Sequence, residues 1–377
     1  MIYLDNAAST ALSPAALEAM LPWMTEQYGN PSSLHRAGQR AAQAVSEARA
    51  QTAKILHARR GMVCFTSGGT EADALALSTA AAWGERHGKR HIVSAAFEHH
   101  AVLRGLEHLA EKGFSVTFLS PGPSGRIRAE QVADAIRDDT GLVSLMAANN
   151  ETGILQPAAE VGALCRERGI LFHTDAVQAV GHIPVDAEAL GADLLSLSAH
   201  KFHGPKGVGA LLCREDLPVV PLLPGGGQER GRRSGTENVP GIVGLAAALL
   251  QADTSMEADM ARTAALRDRL AEAVSRIPGV HLTGMDQPRL PGILHLCVEG
   301  VRRDTLLLLL DQAGICASAG SACSAGALEP SHVLRSMDVP EPLSMGALRS
   351  SLSPANTEAE IDTTAEILSD LIHRLKN

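Results

Sequence analysis

Asp175 and Lys201 are the residues whose types and setting most directly imply chemistry. Asp175 stands in His173-Thr174-Asp175-Ala176-Val177-Gln178, and Lys201 in Ser198-Ala199-His200-Lys201-Phe202-His203-Gly204. Each follows an apolar run, Ile170-Leu171-Phe172 in the first case and Leu194-Leu195-Ser196-Leu197 in the second. A lysine amine can condense with an aldehyde, and a nearby carboxylate can keep a pyridine nitrogen protonated. Together they supply what pyridoxal phosphate requires, an anchor for the aldehyde carbon and a counter-ion that keeps the ring an electron sink. In open α/β sheets ligands sit beyond the carboxyl ends of strands, where both residues fall.

Other segments gain meaning beside that pair. Ser67-Gly68-Gly69-Thr70-Glu71 joins the run Val63-Cys64-Phe65-Thr66 to an alanine-rich helix. Alone, such a segment is more often a capped turn. Here it predicts a phosphate cup in which Gly69 lets the backbone approach, Thr70 adds a hydroxyl, and Ser198 and His200 complete the set. His99, in Glu98-His99-His100, would otherwise be a helix cap or surface residue; over the cofactor its ring could stack and move protons. Asn150 and Gln178 end neighbouring runs, where they could hydrogen-bond the cofactor or substrate rather than merely form turns. Arg349 could clamp a substrate carboxylate with two hydrogen bonds.

Residues 225–238, Gly225 to Asn238, read either as a solvated, flexible, basic connector or as an anion site offered to a neighbouring subunit by three arginines and Thr236. A second strong signal is Ala317-Ser318-Ala319-Gly320-Ser321-Ala322-Cys323-Ser324-Ala325-Gly326-Ala327. Free cysteine ordinarily behaves as a small core residue, yet this stretch has nothing to bury, so the Cys323 thiolate should be accessible. Cys64, Cys165, Cys213, Cys297 and Cys316 lie in apolar or helical runs and read as core.

The elements that must position these residues follow from the alternation of β-rich and helical runs. Strands are expected at Val63–Thr66, His91–Ser94, Val116–Leu119, Leu142–Leu145, Ile170–Phe172 and Leu194–Leu197. Gly209–Cys213 comes too soon after Lys201 for a helical crossover and is expected to be antiparallel. The fold class is α/β, a mostly parallel sheet in a large domain with a smaller α+β C-terminal domain. Residues 16–255 are assigned to the large domain, and 1–15 with 256–377 to the small one. A helix from about Met256 to Ile277 should link them. Beyond it are expected strands at Ile293–Val298 and Ile315-Cys316, a helix from Asp304, and a last helix from Thr357. That helix opens on the capping box Thr357-Glu358-Ala359-Glu360, and Ile361, Ala365, Leu368, Ile372 and Leu375 form its apolar stripe.

Bulk properties set the remaining bounds. With 377 residues, 33 basic and 42 acidic, the net charge is −9, which argues against nucleic acid as a partner. The start, Met1-Ile2-Tyr3-Leu4-Asp5, has no signal-peptide pattern. The apolar stretch Val239–Leu250 is shorter than the ~20 residues that cross a bilayer. Six cysteines without CxxC or zinc-ligand spacing imply reduced thiols, no metal site and a cytoplasmic protein.

The chain resembles the group I cysteine desulfurases (NifS/IscS type) over essentially its full length. The resemblance rests on Tyr3-Leu4-Asp5-Asn6-Ala7-Ala8-Ser9-Thr10, Tyr28-Gly29-Asn30-Pro31-Ser32-Ser33, Thr66-Ser67-Gly68-Gly69-Thr70-Glu71, Glu98-His99, Asn149-Asn150-Glu151, Asp175-Ala176-Val177-Gln178, Ser198-Ala199-His200-Lys201, Arg233-Ser234-Gly235-Thr236 and Gly320-Ser321-Ala322-Cys323. The cysteine loop followed by Leu328-Glu329-Pro330-Ser331-His332-Val333-Leu334-Arg335 separates group I from the short-loop group II. The resemblance implies PLP fold type I, a homodimer, and first residues packed on the C-terminal domain.

By the same resemblance, Lys201 forms the Schiff base with pyridoxal 5'-phosphate, Asp175 pairs with its ring nitrogen and His99 stacks on it. Asn150 and Gln178 touch its edge. Gly69, Thr70, Ser198 and His200 hold the phosphate, with Thr236 arriving from the other subunit. Arg349, with Asn150, binds L-cysteine, and Cys323 carries the persulfide to an acceptor protein, an iron–sulfur scaffold or a tRNA thiolase. Where the family usually reads Arg-Phe-Ser-Leu-Gly, this chain has Arg349-Ser350-Ser351-Leu352-Ser353-Pro354, so the apolar neighbour of the arginine is lost. A selenocysteine lyase or another PLP enzyme of the superfamily is the alternative enzyme. An aminotransferase needs no exposed thiol, and a non-catalytic scaffold would not need Lys201, Asp175 and His99 intact.

Overall fold

The computed structural model describes residues 1–58, 63–320 and 330–376. The chain opens with β1 (Ile2–Tyr3), α1 (Pro14–Thr25) and α2 (Arg36–Ile55). Then come β2 (Val63–Thr66), α3 (Gly69–Arg86), β3 (His91–Ala95), α4 (His100–Glu111), β4 (Ser115–Leu119), α5 (Ala129–Ala135), β5 (Thr140–Ser144), α6 (Ala158–Arg168), β6 (Leu171–Asp175), β7 (Leu194–Ser198) and β8 (Gly209–Cys213). The long α7 (Val239–Ser275) leads to β9 (Val280–Leu282), β10 (Ile293–Val298), α8 (Arg303–Gln312), β11 (Ile315–Cys316), α9 (His332–Ser336), α10 (Glu341–Ser344), β12 (Ala347–Ser351) and α11 (Glu358–Lys376).

Seven strands form one sheet in the order β2-β8-β7-β6-β5-β3-β4. Strands β4, β3, β5, β6 and β7 are parallel neighbours, and every residue of β3, β5, β6 and β7 is buried. That is the reason these strands read as apolar runs rather than as alternating ones: helices cover both faces. β8 is antiparallel to β7, as its short connection requires, and also to β2. Because it reverses direction twice, β2 points the same way as β7. The carboxyl ends of β2, β3, β5, β6 and β7 therefore meet at one edge.

The rest of the chain builds a smaller sheet, β12-β10-β9, and the parallel pair β1-β11. The N-terminus thus lies against the C-terminal part, with Ile2 opposite Ile315 and a bridge from Asp5 to Ser351. Leu4, Leu266, Leu270, Leu296, Ile361, Leu368 and Ile372 share one buried cluster, whereas Ala7 packs in the core of the large sheet. The Thr357 capping box is formed in both directions, at 3.2 Å and 3.0 Å.

One expectation is corrected by this structure. The linking helix begins at Val239, not near Met256, and takes in the apolar stretch 239–250. Asn238 caps it by accepting from Gly241 N–H, and Pro240 sits in the first turn, where its missing N–H costs nothing. α7 is long and apolar enough for a membrane span by composition alone. Its Ile242, Leu245 and Leu249 are instead buried in the core of the large sheet, and Leu266 and Leu270 in the smaller one.

Candidate active site

The strand ends converge on a cavity of about 210 Å³. Its lining includes Gly69, Thr70, His99, Asn150, Asp175, Gln178, Ser198, His200, Lys201 and Arg349. Ten candidates spread over 280 positions of the chain, from Gly69 to Arg349, therefore meet in one place. All but Arg349, which stands in β12, ride on the edge described above: Gly69 and Thr70 open α3 after β2, His99 caps α4 after β3, and Asn150 follows β5. Asp175 ends β6, and Lys201 stands in the turn after β7.

The amine of Lys201 donates to the carbonyl oxygens of Ala7 (2.6 Å) and Ala8 (2.9 Å). Asp175 is buried, and one of its oxygens accepts from Val177 N–H at 2.9 Å. Burial, and after it the charge of Asp73, pushes Asp175 up to about 7. His99 accepts from Ala101 N–H at its Nδ1, 3.2 Å away, so a neutral ring carries its proton on Nε2. Burial, followed by the charge of Lys201, pushes His99 down to about 4, which keeps the ring neutral at physiological pH.

Glycine is required at the cup. A Cβ on Gly69 would stand 2.8 Å from Val177 Cγ2 and 3.5 Å from Ser198 Cβ. Gly68 has φ +152°, in a region that favours glycine. The first turn of α3 thus presents bare N–H groups beside the Ser198 and His200 side chains. The cavity has three distinct corners: an amine, a buried carboxyl and an anion cup. That donor set fits a molecule bearing an aldehyde, a basic ring nitrogen and a phosphate. Carboxylate and ring-nitrogen atoms of Asp73, His99 and Asp175 also lie within 4.8 Å of one another, but the Lys201 amine lines the same space and its charge opposes a cation there.

The aminotransferase class-V model matches residues 2–364. The chain belongs to that family. It is 46% identical over 376 residues to the cysteine desulfurase IscS of Methanosarcina thermophila, covering 100% of this chain and 93% of that protein. In three dimensions it is similar to a solved NifS-like protein, with a TM-score of 0.93 at 38% identity and 99% of each chain covered. A structure of SspA in complex with cysteine has a TM-score of 0.83 at 35% identity, covering 95% of this chain and 100% of that one. The PLP fold type I architecture agrees with these neighbours.

At the mouth of the class-V site, Arg349 is fully buried in β12. Its Nη1 donates to Asn150 O (2.7 Å) and its Nη2 to Asp5 Oδ1 (2.9 Å), while its Nε has no partner. Two residues on in the same strand, Ser351 Oγ accepts from Ala7 N–H at 2.8 Å, and Asn6 donates to Ser351 O at 2.8 Å. Across the sheet His295 faces Arg349. Burial and then the Arg349 charge push His295 down to about 3. The unfolded chain takes up that proton below about 6.5 and the folded chain does not, so stability falls as pH drops from 6.5 toward 3. His295→Gln should flatten that loss by about 1.4 kcal/mol per pH unit in urea titrations across this window. An unchanged slope would contradict it.

The Gly/Arg-rich segment is largely exposed, as its composition suggests, yet it is tied to the large domain at two points. Glu229 is buried and holds Arg49 through two hydrogen bonds of 2.6 and 2.7 Å. Arg233 is committed to Glu71, whose other oxygen accepts from Ser67 N–H in the cup. Burial alone would raise Glu71, but the hydrogen bonds from Arg233 and Ser67 outweigh it and hold Glu71 below its usual range. Arg233 is therefore unavailable to an incoming anion. Thr236 is exposed and lies outside the cavity of its own chain.

Cys323 lies outside the described residues. Cys64, Cys165, Cys213 and Cys297 are buried as expected, whereas Cys316 is only half-buried. Burial raises the first four thiols, Cys165 and Cys297 to about 12. Sequence reasoning missed Asp5, Ala7 and Ala8 as parts of the site, and missed Asp73. The signal for Asp73 was its spacing: three residues after Thr70, it shares that residue's helix face.

Proposed function

We propose that the protein is a pyridoxal phosphate-dependent cysteine desulfurase that converts L-cysteine to L-alanine and carries the sulfur as a persulfide on Cys323. The observation that carries this reading is the meeting of the Lys201 amine, the Asp175 carboxyl, the Gly69–Thr70 cup and the Arg349 guanidinium in one cavity. A relative 46% identical over the whole chain is named a cysteine desulfurase, and a similar solved structure is described as a complex with cysteine.

When bound, the cofactor supplies an electrophilic aldehyde carbon and a ring that accepts electron density. Lys201 would anchor it, Asp175 would pair with its ring nitrogen, His99 would cover its face, and Asn150 and Gln178 would border its edge. Gly69, Thr70, Ser198 and His200 hold its phosphate. Arg349 takes the substrate carboxylate, which sets the Cα–H toward Lys201; Lys201, once free of the Ala7 and Ala8 carbonyls, removes that proton. The Cys323 thiolate attacks the substrate sulfur. An S–S bond forms, the Cβ–S bond breaks with its electron pair left on carbon, and two protons complete alanine: the one Lys201 took from Cα, and the one that left the Cys323 thiol, relayed by His99. Cysteine plus one thiol thus becomes alanine plus one persulfide, with no external oxidant. The outer sulfur then passes to an acceptor protein, which we propose to be an iron–sulfur scaffold or a tRNA thiolase. Protein supplied with pyridoxal phosphate, L-cysteine and a reductant should form alanine and sulfide in equal amounts; release of sulfide without alanine would refute the reading.

We further propose a homodimer in which Thr236 completes the partner's phosphate cup. Two observations support it. Thr236 lies outside its own cavity. In addition α1 exposes Leu17, Leu21 and Met24 along one face, with Tyr28 and Leu34 exposed at 84% and 91% just beyond, an apolar surface of the kind that associates. Light scattering should give a dimer, and Thr236→Ala should remain dimeric while releasing cofactor more readily. A fully active monomer would contradict this.

A further inference from the structure

Beneath the cavity lies a second carboxyl that the proposed reaction does not use. Asp73, in the second turn of α3, is buried, as Asp175 is, and lines the same space. A carboxylate oxygen of each lies within 4.8 Å of the other and of a His99 ring nitrogen. Asp73 Oδ1 has no hydrogen-bond donor and sits 3.6 Å from His173 Nε2. His173 is bonded instead to Ser144 Oγ (2.9 Å) and Ser196 Oγ (3.1 Å).

Two carboxylates this close in a dry site repel, and the pair does best with one proton between them. The charges around them decide its place. From β6, Asp175 receives the Val177 N–H. Lys201, in the turn after β7, and His173 also favour its charge. Asp73 has a hydrogen bond only from Ser196 to offset its burial. His99, on α4, is held neutral and offers no charge. Glu98, before α4, is fully buried with Oε2 unpartnered, and burial pushes it well up; as an acid it adds no positive charge. Each carboxylate raises the other, but Asp175 has a backbone N–H donor at 2.9 Å where Asp73 Oδ1 has none, and on that geometry the proton belongs on Asp73 and the charge on Asp175.

We propose that Asp73 and Asp175 share one proton, which stays on Asp73 when the cofactor binds, making Asp73 a positioning residue that holds Asp175 as a single anion toward the ring nitrogen. The second half of this statement rests on the reading of Asp175 as the ring's counter-ion. Infrared spectroscopy of the full chain labelled with carboxyl-¹³C aspartate tests it, because the labelled C=O stretch marks a protonated aspartate and excludes Glu98. At about pH 6 the unsubstituted protein should show that band with and without cofactor, and Asp73→Asn should lose it in both states, because Asp175 without its neighbour titrates lower. Asp73→Ser should behave alike if the asparagine variant folds poorly. A band that persists in cofactor-free Asp73→Asn, or that vanishes from the unsubstituted protein on cofactor loading, overturns the proposal. A band present in Asp73→Asn only after cofactor loading would instead overturn the counter-ion reading, since Asp175 would then be protonated beside the ring.

Discussion

Lys201→Ala should yield a folded protein that neither shows the absorbance of covalently bound pyridoxal phosphate nor forms alanine. Lys201 is the lysine that lines the cavity among the described residues, and it stands beside Asp175 and the cup. Its loss removes two functions at once. The cofactor is no longer held covalently, and no amine remains to move the Cα proton, a step worth about 10²- to 10⁴-fold in rate by itself. The loss of the two hydrogen bonds to Ala7 and Ala8 is local, because Asn6 and Ala7 remain tied to Ser351. Lys206 is the nearest rival in sequence, but it is exposed and does not line the cavity. Lys206→Ala should therefore keep both absorbance and turnover. The opposite pattern, turnover kept without Lys201 and lost without Lys206, would show that the anchor is misassigned.

Cys323→Ser should bind cofactor and L-cysteine normally and yet lose sulfur transfer. A hydroxyl is a poor nucleophile toward sulfur near neutral pH, while a thiolate is a good one. The other cysteines cannot readily replace it. Burial holds the thiols of Cys64, Cys165, Cys213 and Cys297 protonated at neutral pH. Cys316, half-buried in β11, is the remaining competitor. Sulfuration of an acceptor should fall to the background rate in Cys323→Ser and stay near normal in Cys316→Ser. Normal transfer by the Cys323→Ser protein would refute the assignment.

Much of the site was legible because most of its residues obey one local rule. His99, Asn150, Asp175 and Lys201 each end an apolar run, and parallel strands put those ends on a common edge. Gly69 and Thr70 were legible as a glycine turn entering a helix. What could not be read is long-range. Lys201 meets the Ala7 carbonyl across 194 positions, and Arg349 meets Asp5 across 344; no periodicity encodes such contacts. β12 escaped notice because Ala347-Leu348-Arg349-Ser350-Ser351 is short and half polar, and becomes a strand by pairing with β10. α7 starts 17 residues before the expected Met256, and its Pro240 stands in the first turn, where it is harmless. The Gly/Arg segment is largely exposed as read, but composition does not show that Glu229 and Arg233 find buried or half-buried partners.

The account's central claim is that sulfur leaves cysteine and arrives on Cys323. The most direct test is peptide mapping by mass spectrometry after a brief incubation of the cofactor-loaded protein with L-cysteine, without reductant. One added sulfur atom per chain, located on the peptide containing Cys323 and matched by one alanine released, is the predicted result. Added sulfur on Cys316 or Cys64 instead, or alanine formed with no sulfur on the protein, would contradict it.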